Sequence, residues 1–310
     1  MPKLMFDLIT VGHFAIDLIL SPKIASLKPT LGGPPTYVSS AAQKLGVNVA
    51  VISKVGDDFP EEYFVWLKKH NIKLVTLKPV KNAKTTKFVL DYTKGWRRLQ
   101  LKSLAPPILP GDIPISLQAK AVHVAPIANE LSKNVLDKLR AVTNTLSLDP
   151  QGFVREFDEK GDVHLKNWEH LGVLEQVDVY KSSVSEIKRV TRLNDLALCM
   201  RRIQDYGVKV VIVTESVKGS TLLFEGNFCH VAAYKARVIR DLTGAGDTFI
   251  GAFLAEYIQN RSPVWCACVG SAAASFVVQG VGPAVFGNKK ETYKRAHEIY
   301  EKGVKRLTRI

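Results

Sequence analysis

Asp241-Leu242-Thr243-Gly244-Ala245-Gly246-Asp247-Thr248-Phe249 is the stretch on which the reading of this chain turns. Apolar residues follow at Phe249, Ile250, Phe253, Leu254, Tyr257 and Ile258, a helical spacing that predicts a helix over roughly Asp247 to Gln259 with one buried face. The glycines then sit at a helix N-terminus, where the first amides lack intrahelical acceptors and the macrodipole is positive. An anion can be held there by backbone alone, and the small residues Gly244, Ala245 and Gly246 let a phosphate come close. Asp247 stands beside that anion site. A hydroxyl placed between its carboxylate and a bound phosphate would give its proton to Asp247 while the neighbouring amides steady the developing charge. The plainer alternative is an acidic first-turn residue that only favours the helix dipole, and the glycines around it weigh against that.

Outward from this turn, β-branched runs alternate with amphipathic stretches, as in βαβ units around a mainly parallel sheet. The strands are expected at Phe6 to Val11, Val47 to Ser53, Ala121 to Val124, Leu146 to Leu148, Val177 to Tyr180 and Val208 to Thr214. Helices are expected at Tyr37 to Leu45, Glu61 to His70, Asn129 to Val142 and Asn194 to Tyr206. The fold class is therefore α/β, a doubly wound, mostly parallel sheet with helices on both faces. Two hairpins break the alternation. Thr85 to Ser103 carries two β-like runs around Thr93-Lys94-Gly95-Trp96, and Ser220 to Ala233 carries two around Glu225-Gly226-Asn227. The first hairpin must lie outside the main sheet, where it can serve as a lid or as the contact of a homodimer. Trp96, Arg97 and Arg98 fall at or just beyond its tip.

The chain has 310 residues, 46% of them hydrophobic, enough to bury a full core. Its apolar runs are shorter than the roughly 18 residues that cross a bilayer, so no membrane partner is expected. Leu8 to Leu20 is interrupted by His13 and Asp17 and is followed by no small-residue cleavage site, which points to the cytoplasm. Cys199, Cys229, Cys266 and Cys268 form no CxxC pair and read as buried thiols. The net charge of +14 favours anionic partners, but the basic residues are scattered without aromatic interleaving, so nucleic acid is not expected.

The turn Asp241 to Phe249 resembles the second signature of the ribokinase-like (PfkB) carbohydrate kinases, and Gly32-Gly33 after Ile16-Asp17-Leu18 resembles the first. The similarity spans residues 1–310 as one kinase domain, with a small β lid formed by about 13–33 and 84–103. It implies ATP or a related nucleotide as phosphoryl donor, Mg²⁺, and Asp247 as the base. A monovalent cation held near Asp241 and Thr243 is left open. By the same resemblance Asp17, Gly32 and Gly33 belong to the acceptor site, and Thr214, Glu215, Gly219, Ser183, Gly244 and Gly246 to the nucleotide site. Glu186 resembles the acid of an Asn-x-x-Glu element that orders water around the metal, although Ser183 stands in the asparagine position.

Another departure concerns the acceptor. Four residues after Gly33, ribose and many nucleoside kinases carry asparagine; this chain carries Tyr37, which argues against plain ribose recognition. Asp149-Pro150-Gln151-Gly152-Phe153-Val154-Arg155 resembles the corresponding stretch of myo-inositol kinases, placing Gln151 and Arg155 beside the acceptor. The expected partners are thus a nucleotide and a small polyol or sugar: an inositol first, a nucleoside or another sugar as alternatives. Rival classes lack their marks. No GxGxxG follows the first strand, no GxxxxGK[ST] loop exists, and the histidines show no HExxH spacing. A regulator that binds without turnover would not need Gly244 to Asp247 intact.

Overall fold

The computed structural model describes residues 4–21, 28–77, 79–94 and 98–307, so Trp96 and Arg97 lie outside the described residues. Ten strands form the central sheet. In spatial order they are Val304–Leu307, Asn227–Val231, Ser220–Phe224, Val210–Thr214, Val179–Ser183, Thr143–Leu148, Leu117–Val124, Leu4–Val11, Val49–Ile52 and Lys73–Thr76. The seven from Val210–Thr214 to Lys73–Thr76 run parallel, and the first three pair antiparallel. The strand order reverses between Leu4–Val11 and Leu117–Val124, both of which end towards the same rim.

Parallel strands are covered on both faces and therefore read as continuous apolar runs; Val49 to Ile52 is wholly buried. Successive residues feed different cores. Leu8, Val49, Val51, Val210 and Ile212 meet helices Pro34–Lys44, Ala245–Tyr257 and Pro263–Val277. Ile9, Ala50, Ile52, Val211 and Val213 meet Lys133–Arg140, Val184–Thr191 and Leu196–Gln204. The helix after the glycine turn is buried nearly all round, from Thr248 to Glu256, because it lies between two other helices. One apolar face was the expectation; the sandwich explains the difference. Gly251 and Gly270 permit the close crossings, since a Cβ on either would come within 2.8 Å of a backbone oxygen of Val38 or Phe249. Glu256, the buried carboxylate at the far end of that helix, is matched by Tyr293 Oη at 2.7 Å and Trp265 Nε1 at 3.1 Å.

Two element boundaries moved for identifiable reasons. The helix expected from Tyr37 begins at Pro34, since two prolines suit a first helical turn that has no amide partners to lose. The helix expected from Asn129 begins only at Lys133. Its first residues belong to a loop closed on buried Glu130, whose carboxylate accepts from the amides of His13, Ile127 and Ala128.

A second sheet stands over the rim. Its strands, in spatial order, are Thr30–Gly32, Ala15–Leu20, Thr86–Asp91 and Arg98–Ser103. Phe88 and Leu90 alternate inward with Ala15, Ile19, Ile127 and Ala128 to give it a small core of its own. A hairpin absent from the sequence expectations, Arg155–Phe157 with Val163–Leu165, docks on the Arg98–Ser103 edge. Leu101 donates its amide to Gly161 O at 2.8 Å, and Arg98 Nε donates to Asp162 Oδ1 at 2.8 Å. Gly161 has φ +81°, and a Cβ there would lie 2.2 Å from Leu101 O. The docked hairpin covers a strand edge that would otherwise be open.

Candidate active site

The rim of the parallel strands carries the polar residues that the core excludes, as doubly wound sheets do at the carboxyl ends of their strands. Asp149 follows Thr143–Leu148, Lys181 and Ser183 end Val179–Ser183, and Thr214 ends Val210–Thr214. Above them lies a cavity of about 1340 Å³ lined by Asp149, Gln151, Arg155, Lys181, Glu186, Thr214, Glu215 and the turn Gly244 to Asp247. Two smaller spaces open beside it. One, of about 80 Å³, lies under Phe88, Leu90 and Leu99 of the small sheet and is lined by Asp17, Gly33, Tyr37, Gln151, Arg155, Gly244 and Asp247. The other, of about 660 Å³, is mainly apolar, with Val217, Tyr234, Ile239, Leu242, Phe249 and Val278 around Thr214 and Gly219. Asp247 stands where the small pocket meets the large cavity.

The turn itself is built as a helix start. Gly244 is the N-cap with φ 75°, a left-handed conformation, and the ring of Tyr37 packs where its Cβ would be, at 2.3 Å. The amides of Gly246 and Asp247 meet no protein acceptor among the described residues, whereas the Ala245 amide turns back to Leu242 O at 3.3 Å. Asp241 braces the approach: its carboxylate accepts from Thr243 N, Thr243 Oγ1 and Gly282 N. Burial pushes the Asp247 carboxyl up to about 6; Lys181 and Arg155 pull it down, and Asp149 and Glu186 push it further up.

On the small-sheet side, Asp17 is buried, and its carboxylate occupies the space a side chain at Gly32 would need, 1.9 Å from Oδ2. Gly33, at φ 82°, is needed because the backbone of His13 to Ala15 lies against it. Gly32 thus makes room for Asp17 itself, and only Gly33 of the pair lines the small pocket. Tyr37 is fully buried and its hydroxyl has no hydrogen-bond partner among the described residues. Arg155 is buried; it donates to Ile127 O at 3.2 Å and to Gln151 Oε1.

On the other side of the cavity several side chains are already engaged. Ser183 and Glu186 form a capping box: Ser183 N and Oγ donate to Glu186 Oε2 at 2.8 and 2.7 Å. Glu215 accepts from Thr221 Oγ1 at 2.6 Å, and Thr214 Oγ1 donates to Ser182 O at 3.3 Å. Gly219, at φ 111°, lets the hairpin fold against Val231 O. Arg98, at the edge of the small sheet, spends its guanidinium on Asp162. Among the described residues no cluster of three or more His, Cys, Asp or Glu could hold a metal alone. A hard divalent cation would have to share its ligands with phosphate and water, and Glu186, facing the cavity, suits that arrangement.

One residue escaped the sequence reading. Lys181 is buried at the cavity floor, its ammonium 2.7 Å from Asp149 Oδ2. A charged residue within the apolar run Val179-Tyr180-Lys181 was the available signal.

These features have a common source. The pfkB family of carbohydrate kinases matches residues 5–290, and the chain belongs to that family. It has the ribokinase-like fold and is a phosphotransferase acting on a hydroxyl of a small molecule, a sugar or nucleoside kinase in the broad sense. A cytidine kinase of Thermococcus kodakarensis is 28% identical over 90% of this chain and 98% of its own. An inositol 3-kinase of Arabidopsis thaliana is 26% identical over 89% of this chain and 75% of its own. Among solved structures, a pyrophosphate-dependent kinase in the ribokinase family, complexed with a pyrophosphate analog and myo-inositol, superposes with TM-score 0.80 at 24% identity, covering 93% of this chain and 99% of the other. The nucleoside kinase of Methanocaldococcus jannaschii does so with TM-score 0.76 at 24% identity, over 96% and 100%. No helix among the described residues is long and apolar enough to cross a membrane.

Proposed function

We propose that this protein transfers the γ-phosphoryl group of ATP to a hydroxyl of myo-inositol or a closely similar polyol, with Asp247 as the base. The observation that carries the acceptor is the pocket of about 80 Å³ at Asp247. It gathers a buried carboxylate, a partnerless buried phenol and a guanidinium–amide pair, Asp17, Tyr37, Arg155 and Gln151, around a space of a few water volumes. A ring bearing hydroxyls on every side uses such a set. The donor reading rests on the apolar slot beside the glycine turn, which suits a nucleobase and would be idle with pyrophosphate.

In this reading the acceptor oxygen attacks the γ-phosphorus, its proton passes to Asp247, and the bond to the β-phosphate oxygen breaks to release ADP. The open amides of Gly246 and Asp247 hold the phosphoryl oxygens while the charge redistributes. Mg²⁺, when bound with the nucleotide, neutralises the phosphate charge, and Glu186 would hold it through water. The sheet of 15–20, 30–32, 86–91 and 98–103 serves as the lid, excluding water that would otherwise accept the phosphoryl group.

A second reading, phosphorylation of a nucleoside such as cytidine, is favoured by the 28% identity to a cytidine kinase over nearly its whole length. Initial rates with ATP and a panel of inositols, nucleosides and hexoses decide between them. The proposal expects myo-inositol or a stereoisomer to give the highest kcat/KM. A nucleoside that exceeds every inositol overturns it.

A further inference from the structure

We propose that Lys181 is a catalytic residue, its ammonium reaching the transferring phosphoryl group from the floor of the cavity while Asp149 holds it in place. The inference rests on the kinase reading above but not on which acceptor is used.

Lys181 sits in the middle of the sheet on Val179–Ser183, its side chain 7% exposed and that of Asp149 1%. Burying such a pair is costly, and apolar residues of similar volume would serve stability at least as well. Its position is therefore the informative fact. A Cβ built on Gly246 would lie 2.8 Å from Lys181 Nζ, so the ammonium fills the space under the residue whose own amide is open. An ammonium has three donors. Asp149 Oδ2 takes one at 2.7 Å, and no second protein acceptor is found among the described residues. The remaining donors border the cavity that holds Gly244 to Asp247.

The supports are arranged to keep it there. Asp149 is fixed from its other oxygen, which accepts the Gln151 amide at 3.1 Å, so one carboxylate ties the ammonium to the acceptor loop. Ser183, two residues on and on the same strand face, is consumed by Glu186 and offers the phosphate nothing in exchange. Burial pulls the Lys181 pKa down; Asp149, then Asp247 and Glu186, outweigh it and raise the pKa above that of a free lysine. Lys181 thus stays protonated throughout. It forms and breaks no covalent bond; it donates hydrogen bonds to the phosphoryl oxygens as the acceptor–phosphorus bond forms, the bond to the leaving phosphate breaks and the hydroxyl proton goes to Asp247.

Lys181→Met alone would leave Asp149 buried and unpaired, so the deciding protein is the double variant Lys181→Met/Asp149→Asn. Two measurements are made on it and on wild type: kcat with ATP and myo-inositol, and the affinities for ADP and β,γ-methylene-ATP by titration calorimetry. The double variant is expected to fold, to lose about 10²–10³-fold in kcat, and to bind ADP as wild type does. Its preference for the triphosphate analogue over ADP should fall about tenfold. Recovery of wild-type kcat in the double variant would mean that the pair is only structural. An equal loss of ADP and analogue affinity would overturn the placement at the transferring group. If wild type phosphorylates none of the acceptors tried, the acceptor reading fails, and the two nucleotide affinities still decide the role of Lys181.

Discussion

On one side of Asp247 nine consecutive residues supply a turn, a helix start, open amides and the carboxylate, set on a helix buried nearly all round, with Lys181 beneath them. On the other side Asp17, Tyr37 and the Gln151–Arg155 pair arrive from three separate segments and are brought together by a small sheet and a docked hairpin. The first side is local and rigid; the second is assembled and can be re-assembled. A fold arranged in this way keeps one phosphoryl chemistry while acceptors change, which fits relatives that include both cytidine and inositol kinases. Substitutions on the two sides should therefore separate rate from acceptor affinity.

The largest effect is expected at Asp247. Asp247→Asn should lower kcat by about 10²–10⁴-fold with the KM for ATP nearly unchanged, as measured by steady-state kinetics. The same variant has a stability signature. Because the folded carboxyl is raised to about 6 from 3.8, its ionised form is disfavoured by the fold, and the stability of the protonated form is lost as pH rises through 6. Asp247→Asn should melt higher than wild type at pH 8, and the gain should vanish below pH 4.

Next comes Asp17. Asp17→Asn should raise the acceptor KM about 10–100-fold and leave the ATP KM alone, since a charge-assisted hydrogen bond is lost on one side only. Equal effects on both substrates would break the division. Tyr37→Phe should move affinity and stability in opposite directions. Removing a buried hydroxyl without a partner should raise the melting temperature by about 2–4 °C. If the acceptor is the partner of that hydroxyl, as proposed above, its KM should rise about threefold to tenfold. The smallest change is expected at the docked hairpin: Arg98→Ala removes an exposed ion pair with Asp162 and should raise the acceptor KM about twofold, with no change in the ATP KM.

The same contrast governs what the sequence could tell. The Asp241 to Phe249 turn was legible because its physics is contained in contiguous residues, and the parallel strands because burial on both faces leaves uninterrupted Val and Ile runs. The small sheet was half legible: the Thr86–Asp91 and Arg98–Ser103 hairpin has its own alternation, but its pairing with Ala15–Leu20 joins strands some seventy residues apart. The hairpin of Arg155–Phe157 and Val163–Leu165 was not seen, because three-residue strands carry too little periodicity and its stability comes from docking at Leu101 and Arg98. Arg155 could be named from its segment, yet its burial and its bond to Gln151 depend on that docking. Lys181 lay in plain view inside an apolar strand, but its partner Asp149 is adjacent only in the folded sheet.

The pH dependence of kcat/KM for the acceptor, at saturating ATP, tests the role of Asp247 most directly. The account predicts an acid limb with a midpoint near pH 6, lost from the residual activity of Asp247→Asn. A profile flat down to pH 4.5, or the same limb persisting in the variant, would contradict it.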